Sequence, residues 1–549
     1  MEARLDDETE IEWQLDAHDL RPVLRWVEEA AAENDSKPVT IGRGPTVSQV
    51  DTYLDTADRR IDRAGYTVRL RKTPRRPSEA TLKSLASERP GGGALRIRME
   101  LAEQLDVDDP TEVAHGKGPV GQRVRALVGS RRLVPLFAVQ TRRRVFPLSA
   151  DGRPSGELLL DETTIREPGG RILGRLRRVE VEAPRESIEI VGPLVESLQI
   201  GCGLQPAVLS KYESALVASG LRRASSESFG LISVEPGDTI GQVGLATLRR
   251  QFVILLAKEP GTRLGDDIEE LHDMRVASRR LRAALSLFAD YLPAEAVRLK
   301  PELAWLGQTI GAVRDLDVQL VRLAEWVAAV PPVDREPLMR LHALLGNERA
   351  RARAEMLQAL DSARYERFVR RFGSMLRSRT GARTPAGLAA APDLVERRHR
   401  ALRKAMKRID ENAEPAAYHR LRIASKRFRY ALEFLSDLYP GETKPIVNRT
   451  VELQDLLGEY QDADVAIARL RELAAARGAE LGPEAVFAMG EIAERYRARM
   501  DATRDQVPST HARLTGRVWK QLLEQLEAAR PPVSDESRRS SRTGDASPA

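Results

Sequence analysis

The sequence has almost no cysteine and no long run of apolar residues. Cys202 is the single cysteine among 549 residues, which excludes an internal disulfide and a cysteine-based zinc site. No stretch approaches the ~18–20 consecutive apolar residues that a transmembrane helix needs. The opening segment, MEARLDDETEIEWQL, is acidic and lacks the apolar core of a secretory signal. These absences lead us to expect a cytoplasmic protein that does not bind membranes.

The sequence also lacks a large excess of charge of either sign. Its 87 lysines and arginines nearly balance 81 aspartates and glutamates, so the formal net charge is only +6. Net charge therefore says little about binding partners, which the distribution of charged residues along the chain indicates better. No nucleic-acid-binding module is recognisable, which makes nucleic acid an unlikely partner.

Hydrophobic periodicity divides the chain into two halves. Residues 1–218 contain short alternating runs that are typical of strands, whereas apolar spacing of i, i+3, i+4 predicts helices over residues 235–528. Residues 219–234 include a serine-rich segment and are predicted to be a linker. Residues 529–549 are rich in serine, proline and charge, a composition typical of disorder. We therefore expect a multidomain α+β protein.

Charged residues alternate along several predicted strands of the first half. Glu10 and Glu12 share one face of a strand, and Glu180 and Glu182 share one face of another. Such pairs are common on solvated surfaces, but four carboxylates inside one barrel would repel each other unless a divalent cation lay between them. Oxygen ligands of this kind favour Mg²⁺ or Mn²⁺. Basic residues that would bind phosphate are Arg69, Arg71, Lys83, Arg142, Arg143 and Lys211.

The order of these motifs resembles the CYTH family, the triphosphate tunnel metalloenzymes. The matching segments are Glu10-x-Glu12, Tyr53-Leu-Asp-Thr56, Arg69-x-Arg71, Thr81-Leu-Lys83, Arg98-x-Glu100, Leu160-Asp161, Val179-Glu-Val-Glu182 and Ser210-Lys-Tyr212. The resemblance implies an antiparallel β-barrel that binds a triphosphate and a divalent metal in a central tunnel. It implies catalytic roles for Glu10, Glu12 and Glu182. The metal ligands that it implies are Glu10, Glu12, Glu100, Asp161, Glu180 and Glu182.

The sequence departs from the family pattern at one position and leaves the facing of one strand open. The family's opening signature is Glu-x-Glu-x-Lys, and Gln14 stands where the lysine belongs. A tunnel cation is therefore missing, which puts turnover in doubt more than the fold. The register of the strand around Arg142, Arg143 and Arg144 is also open, so the sequence does not say which of the three faces inward.

The helical half contains an internal repeat. The segment from His272 to Arg282 matches the segment from His419 to Arg429, and the segment from Gly311 matches that from Gly458. Both matches have the same offset of 147 residues. An unchanged offset predicts two copies of one helical unit, arranged as two pseudo-symmetric bundles.

Each copy carries a basic stripe on one face of a predicted helix. A solvated face usually mixes charges of both signs, whereas these stripes contain no acid. Arginine forks suit phosphate oxygens, so the stripes favour an anionic ligand. The Arg349–Arg353 run is interpreted instead as a solvated helix face. The stripe residues are His272, Arg275, Arg279 and Arg282 in the first copy, and His419, Arg422, Lys426 and Arg429 in the second.

The pattern H-x-x-R-x-x-x-R-R-x-R, with the later segment Val313–Val318, is similar to the CHAD domain, the conserved histidine α-helical domain. The resemblance covers about residues 235–528 and implies an all-helical fold that binds inorganic polyphosphate. The second copy departs from the first at Gln461, where the first has Arg314. Nearby aspartates either pair with the arginines, which we favour, or bind a metal: Asp315, Asp317, Asp462 and Asp464.

These interpretations predict metal-dependent hydrolysis of inorganic triphosphate in the barrel and polyphosphate binding by the helical half, with association to polyphosphate granules as a further expectation. The alternative is a non-catalytic polyphosphate-binding or granule-associated protein with a degenerate tunnel, for which Gln14 is the argument. An adenylate cyclase is a third reading, but no feature favours purine recognition. Metal identity, phosphate chain length and oligomeric state are left open.

Overall fold

The computed structural model describes residues 9–32, 37–86, 88, 93–106, 109–221, 229–330, 332–377 and 384–531. The chain forms two compact units, Met1–Ser226 and Glu227–Ala549. The division between them falls within the predicted linker. The predicted disordered tail lies outside the described residues from position 532 onward.

The first unit combines a strand-rich sheet with short helices. Its strands are β1 (Thr9–Asp16), β2 (Val39–Ile41), β3 (Thr46–Thr56), β4 (Tyr66–Lys72), β5 (Ser78–Ser84), β6 (Leu95–Leu105), β7 (Leu133–Ala150), β8 (Arg153–Arg166), β9 (Ile172–Glu182) and β10 (Gln205–Pro206). Its α-helices are α1 (Arg21–Ala32), α2 (Arg60–Arg63), α3 (Pro119–Val128), α4 (Ile188–Cys202) and α5 (Lys211–Ala218).

Eight of the strands close into an antiparallel barrel. Their order is β1-β6-β5-β4-β3-β7-β8-β9, and β9 pairs back with β1. At this closure Glu12 lies opposite Glu182, and Gln14 lies opposite Glu180. The predicted antiparallel barrel is confirmed, and its closure brings the two Glu-x-Glu strands side by side.

The barrel wall has an apolar outside and a charged inside because alternate residues of a strand point to opposite faces. Trp13, Leu15, Val179 and Val181 point outward and share a hydrophobic cluster with residues of α1 and α4. The intervening glutamates and Gln14 point inward. The sequence analysis treated this half as strands alone. The helices that cover the barrel were not predicted.

The second unit is mainly helical in its described residues. Its α-helices are α6 (Ile240–Leu264), α7 (Ile268–Leu287), α8 (Ala294–Ala329), α9 (Pro332–Leu360), α10 (Ala363–Leu376), α11 (Gly387–Met406), α12 (Pro415–Leu435), α13 (Lys444–Leu481), α14 (Pro483–Ala512) and α15 (Arg517–Ala528). No helix in the described ranges has both the length and the apolar character needed to cross a membrane.

The helix bounds confirm the internal repeat. Helices α6 and α11 begin at Ile240 and Gly387, and α7 and α12 begin at Ile268 and Pro415, so both pairs keep the 147-residue offset of the sequence repeat. The starts of the two copies also bind each other. The Ile240 amide donates to the Pro385 carbonyl at 2.9 Å, and the Gly387 amide donates to the Asp238 carbonyl at 2.8 Å.

A close approach between two backbones fixes β8 against β9 near the glutamates. Gly156 has a φ of +143°, and a Cβ at this position would lie 2.3 Å from the Glu182 carbonyl oxygen. We expect Gly156→Ala to lower the free energy of unfolding by about 2–3 kcal/mol, because an alanine is strained at this φ and also collides with β9.

Gly152→Ala is the matched control, since Gly152 also has a positive φ, +72°, but has no atom within 4 Å of the added Cβ. Its expected cost is about 1 kcal/mol. Urea denaturation of both variants measures the difference. Equal losses would contradict a decisive contact between Gly156 and β9.

Candidate functional site

A cavity of about 150 Å³ lies inside the barrel and is lined mainly by charged side chains. The two-residue period of each strand explains this lining, since Glu-x-Glu and Arg-x-Arg segments each send both charges to the same side. β1 and β9 contribute glutamates, while β4, β5, β6 and β7 contribute arginines and a lysine. Acids and bases therefore lie next to each other in the barrel cavity.

Three carboxylates converge at one side of the barrel cavity. Glu10, Glu12 and Glu182 each offer an oxygen atom, and these atoms lie within 4.8 Å of one another. Burial raises the pKa of Glu182, although Arg143 opposes this rise, and Glu10 and Glu180 add to it. This group, the carboxylate cluster, has the oxygen donors that Mg²⁺ and Mn²⁺ prefer. A divalent cation would also relieve the repulsion among the three acids.

The other three predicted metal ligands are paired with basic side chains. Asp161 lies 2.8 Å from Arg143 and 2.5 Å from Lys211, and Glu180 lies 2.7 Å and 2.8 Å from the same two cations. Glu100 lies 2.9 Å from Lys83. The structure thus brings Glu10, Glu12 and Glu182 together and places the other three acids in ion pairs, while the six-ligand set stays a prediction.

Arg69 and Arg71 are held in place by Asp51, which the sequence analysis missed. Arg71 Nε donates to Asp51 Oδ1 at 2.7 Å, and an Arg69 terminal nitrogen donates to Asp51 Oδ2 at 3.3 Å. Asp51 is 3% exposed. Although its burial opposes ionisation, Arg69 and Arg71 hold the pKa of Asp51 well below its usual range. The available signal was the alternation of Gln49, Asp51 and Tyr53 along β3.

Arg98 binds the carboxylate cluster directly and was not among the predicted site residues. Its Nε donates to Glu10 Oε2 at 3.0 Å, and a terminal nitrogen pairs with Glu12. Lys83 contacts Glu10 from another side at 2.5 Å. Burial opposes ionisation of Glu10, but Lys83 and Arg98 outweigh it and hold the pKa of Glu10 well below its usual range.

Gln14 lies beside the carboxylate cluster at 2% exposure. Its Nε2 donates to Glu12 Oε1 at 2.7 Å. Its Oε1 is shielded from solvent and finds no hydrogen-bond partner within the described part of the chain. The amide therefore makes one of the contacts that a lysine would make here, but it supplies no charge and leaves one acceptor unsatisfied.

Arg142 is placed differently from the expectation, whereas Arg143 and Lys211 line the barrel cavity as expected. Arg142 is exposed on the outer face of β7, 3.8 Å from Glu162, and is corrected from a phosphate ligand to a surface residue. Of the three consecutive arginines only Arg143 lines the barrel cavity. Lys211 enters the cavity from the first turn of α5, whose N-terminus is capped by Ser210.

The second unit contains a larger cavity of about 660 Å³, which we call the helical cavity. Residues of both basic stripes line it. Arg429 is the exception, since it lies 3.5 Å from Glu433 and covers the ring of Tyr430. The lining stripe residues are His272, Arg275, Arg279, Arg282, His419, Arg422 and Lys426. Basic residues that the sequence analysis did not assign to the site are Arg314, Arg322 and Arg469.

The basic side of the helical cavity carries unsatisfied positive charge. The Nε atoms of Arg279 and Arg422 are shielded from solvent and have no hydrogen-bond partner among the described residues. Burial lowers the pKa of Lys426 to about 7, together with the nearby Arg422, Arg279 and Arg275. Burial and Arg314 also lower the pKa of His272. An anion in this cavity would supply both the missing acceptors and the missing charge.

Three of the four aspartates near the stripes pair with arginines. Asp315 lies 3.1 Å from Arg275, and Asp462 lies 3.0 Å from Arg322. Asp317 lies 2.5 Å from Arg349. Arg349 and Arg353 are consequently structural, although Arg351 between them is exposed: Arg353 donates to backbone carbonyls at the end of α6.

Comparison with known proteins finds a family model that matches part of each unit. The CYTH domain model matches residues 28–211, and the CHAD domain model matches residues 246–471. No curated protein matches the chain.

Several solved structures resemble part of the chain. The CHAD domain from the plant Ricinus communis is 28% identical, with a TM-score of 0.45, over 53% of this chain and 96% of that one. PptA from Streptomyces chartreusis is 22% identical, with a TM-score of 0.42, over 50% and 99%. HpAC1 from Hippeastrum, described as having a dominant triphosphatase activity, is 20% identical, with a TM-score of 0.30, over 39% and 97%.

The ion pairs of Asp51 with Arg69 and Arg71 predict how stability depends on pH. Because the folded pKa of Asp51 lies below the unfolded value of about 3.9, its contribution to stability is complete above that pH and is lost as the pH falls through the folded pKa. We expect Asp51→Asn to cost about 3 kcal/mol at pH 7, since two buried arginines lose their shared partner.

This cost should shrink as the pH falls below about 4. Urea denaturation at pH 7 and pH 3 measures it, with Asp106→Asn as the control at an exposed position. A cost that is as large at pH 3 as at pH 7 would show that the charge of Asp51 is not what stabilises the pair.

Proposed function

The chain contains a CYTH domain followed by a CHAD domain, and we propose that it hydrolyses inorganic triphosphate in the barrel and binds polyphosphate through the helical unit. The observation that carries the first part is the carboxylate cluster of Glu10, Glu12 and Glu182 in a cavity that arginines and lysines also line. The arrangement places oxygen ligands for a divalent cation next to cationic ligands for phosphate oxygens.

The carboxylate cluster would hold Mg²⁺ or Mn²⁺. Bound there, the metal would supply Lewis acidity toward phosphate oxygen and water. The protein would supply the positions: Glu12 and Glu182 are register partners on β1 and β9, and Gln14 fixes one oxygen of Glu12. Phosphoryl transfer depends mainly on positioning and charge stabilisation, so no covalent nucleophile is required.

Substrate would enter by an exchange of ion pairs. The basic residues proposed to bind phosphate now contact carboxylates inside the barrel: Arg69, Arg71, Lys83, Arg143 and Lys211. Phosphate oxygens would take over some of these contacts as charge-assisted hydrogen bonds. The cation on the carboxylate cluster would replace Lys83 and Arg98, freeing them for the substrate. Metal and triphosphate should therefore bind cooperatively.

Gln14 favours one alternative function. A lysine at this position would be a further cation for the substrate, and its absence is the argument for a barrel that binds phosphate without turnover. In that case the protein would be a polyphosphate-binding, granule-associated protein of the cytoplasm. Phosphate release by the wild-type protein decides between the two functions.

The first functional prediction concerns the carboxylate cluster. We expect phosphate release from inorganic triphosphate in the presence of Mg²⁺ or Mn²⁺, and kcat at least about a hundredfold lower in Glu10→Gln or Glu182→Gln. The amides keep the shape of the side chains but cannot neutralise a divalent cation.

Glu162→Gln is the control, because Glu162 lies on the outer face of β8 and is 49% exposed. Colorimetric phosphate release measures all three variants. Undiminished kcat in the two cluster variants would remove the metal assignment, and no release by the wild type would favour the non-catalytic alternative.

Polyphosphate binding by the helical unit is supported by the shielded Arg279 and Arg422 nitrogens and by the pseudo-symmetric placement of the stripes around one cavity. A linear anion that lies between α7 and α12 would contact both stripes. Displacement of its counterions would add affinity, by analogy with nucleic-acid binding.

We expect the double variant Arg279→Ala/Lys426→Ala to bind long-chain polyphosphate at least about tenfold more weakly, since two charge-assisted contacts are lost. The matched control removes two exposed arginines of the same unit, Arg351→Ala/Arg367→Ala. Titration at two salt concentrations should show steep weakening with salt. Equal losses in both double variants would indicate nonspecific attraction.

The same site should respond to pH. Lys426 has a pKa of about 7 in the free protein, and a bound polyanion would raise it, so binding takes up a proton. Affinity should therefore fall several-fold between pH 6 and pH 8, and Lys426→Ala should reduce this fall. A pH dependence unchanged by Lys426→Ala would assign the effect to the histidines.

A further inference from the structure

The helical cavity has two kinds of lining, and the basic stripes account for only one of them. α7 and α12 supply the basic stripes, and α8 and α13 add Arg314, Arg322 and Arg469. Helices α8, α9, α13 and α14 supply an apolar side, which we call the apolar chamber: Leu323, Trp326, Leu341, Leu345, Leu473 and Tyr496. These residues belong to, or pack against, a hydrophobic cluster separate from the main core of the unit. The chamber is thus a built, well-packed wall.

An inorganic phosphate chain would gain no binding energy from contact with these apolar side chains. Every unit of such a chain is charged, and phosphate oxygens pressed against leucines would lose water without gaining hydrogen bonds. The cavity of about 660 Å³ is within the range of small-molecule sites, roughly 300–1,000 Å³. Its lining fits a ligand that has an anionic chain at one end and an apolar group at the other.

The aromatic residues of the chamber indicate the kind of apolar group. Trp326 and Tyr496 form an edge-to-face pair with ring centroids 6.0 Å apart, and Arg495 covers the Trp326 ring at 4.9 Å. Such rings are stacking partners for a flat heterocycle. Polar groups border the chamber as well, including Gln319 and Asp462. A flat heterocycle with polar edges could use both features, whereas an alkyl chain could use only the apolar wall.

We propose that the helical cavity binds a nucleoside polyphosphate, with its phosphates on the basic stripes and its base in the apolar chamber against Trp326 and Tyr496. This inference rests on the proposed anion binding by the helical unit and names a more specific ligand for the same cavity. It requires the phosphate end to occupy the region of Arg279, Arg422 and Lys426.

Calorimetric titration of the full-length protein with ATP in EDTA, which removes divalent metal, tests the proposal. Trp326→Leu should weaken ATP binding about tenfold while leaving the affinity for long-chain polyphosphate unchanged. Trp305→Leu is the matched control, since Trp305 is a half-buried tryptophan of the same unit that contacts Arg364 and does not line the cavity.

A second variant addresses the packing of the chamber. Ala466 lines the cavity, and Ala466→Phe would fill the chamber without removing a wall residue. It should weaken ATP binding to a similar degree and spare polyphosphate. ATP affinity unchanged in both variants, or ATP and polyphosphate weakened equally, would overturn the proposal.

Failure of the nucleoside-polyphosphate proposal and failure of the proposed polyphosphate binding give different results. Polyphosphate binding without an ATP effect of Trp326→Leu contradicts the nucleoside ligand alone. Lack of polyphosphate binding contradicts the proposed function of the helical unit. Tighter binding of geranyl diphosphate than of ATP would also overturn the assignment of an aromatic base, because it would show that the chamber selects an alkyl group.

Discussion

Closure of the barrel forces every second side chain of eight strands into a narrow interior, and in this chain many of those side chains are charged. Charges shielded from water must find partners, because an unpaired buried charge costs several kcal/mol. The structure meets this constraint by placing acids next to bases throughout the cavity. Asp51 serves two arginines, and Asp161 and Glu180 share Arg143 and Lys211. The site is therefore a network in which each charge fixes the position of another.

This network explains why six inward acids have different roles. Where a carboxylate has a dedicated cation, its charge is already neutralised and its position is fixed, as for Asp161. Where three carboxylates meet, Lys83 and Arg98 neutralise Glu10, whereas burial raises the pKa of Glu182. We propose that a divalent cation binds at this second arrangement. The helical cavity has an excess of positive charge that lowers the pKa of Lys426.

The sequence predicted the features that follow from residue spacing along the chain, such as strand alternation and the internal repeat. Alternation placed Glu10, Glu12, Arg69 and Arg71 on one face of their strands, and the constant offset predicted the paired helices of the second unit. It could not predict partners across strands, because these depend on register. Arg142 was assigned inward for this reason, and Asp51 was missed although it lies directly opposite Arg71. The apolar chamber also escaped prediction, since its residues come from four helices and look like ordinary core in the sequence.

We propose that the inward acids divide into a metal-binding cluster and a set that positions cations. Anomalous diffraction from crystals grown with Mn²⁺ tests this division, because it locates the metal independently of activity. We expect an anomalous peak among the carboxylate oxygens of Glu10, Glu12 and Glu182, with Asp161 still bound to Arg143 and Lys211. A peak between Asp161 and Glu180, with those two cations displaced, would contradict it.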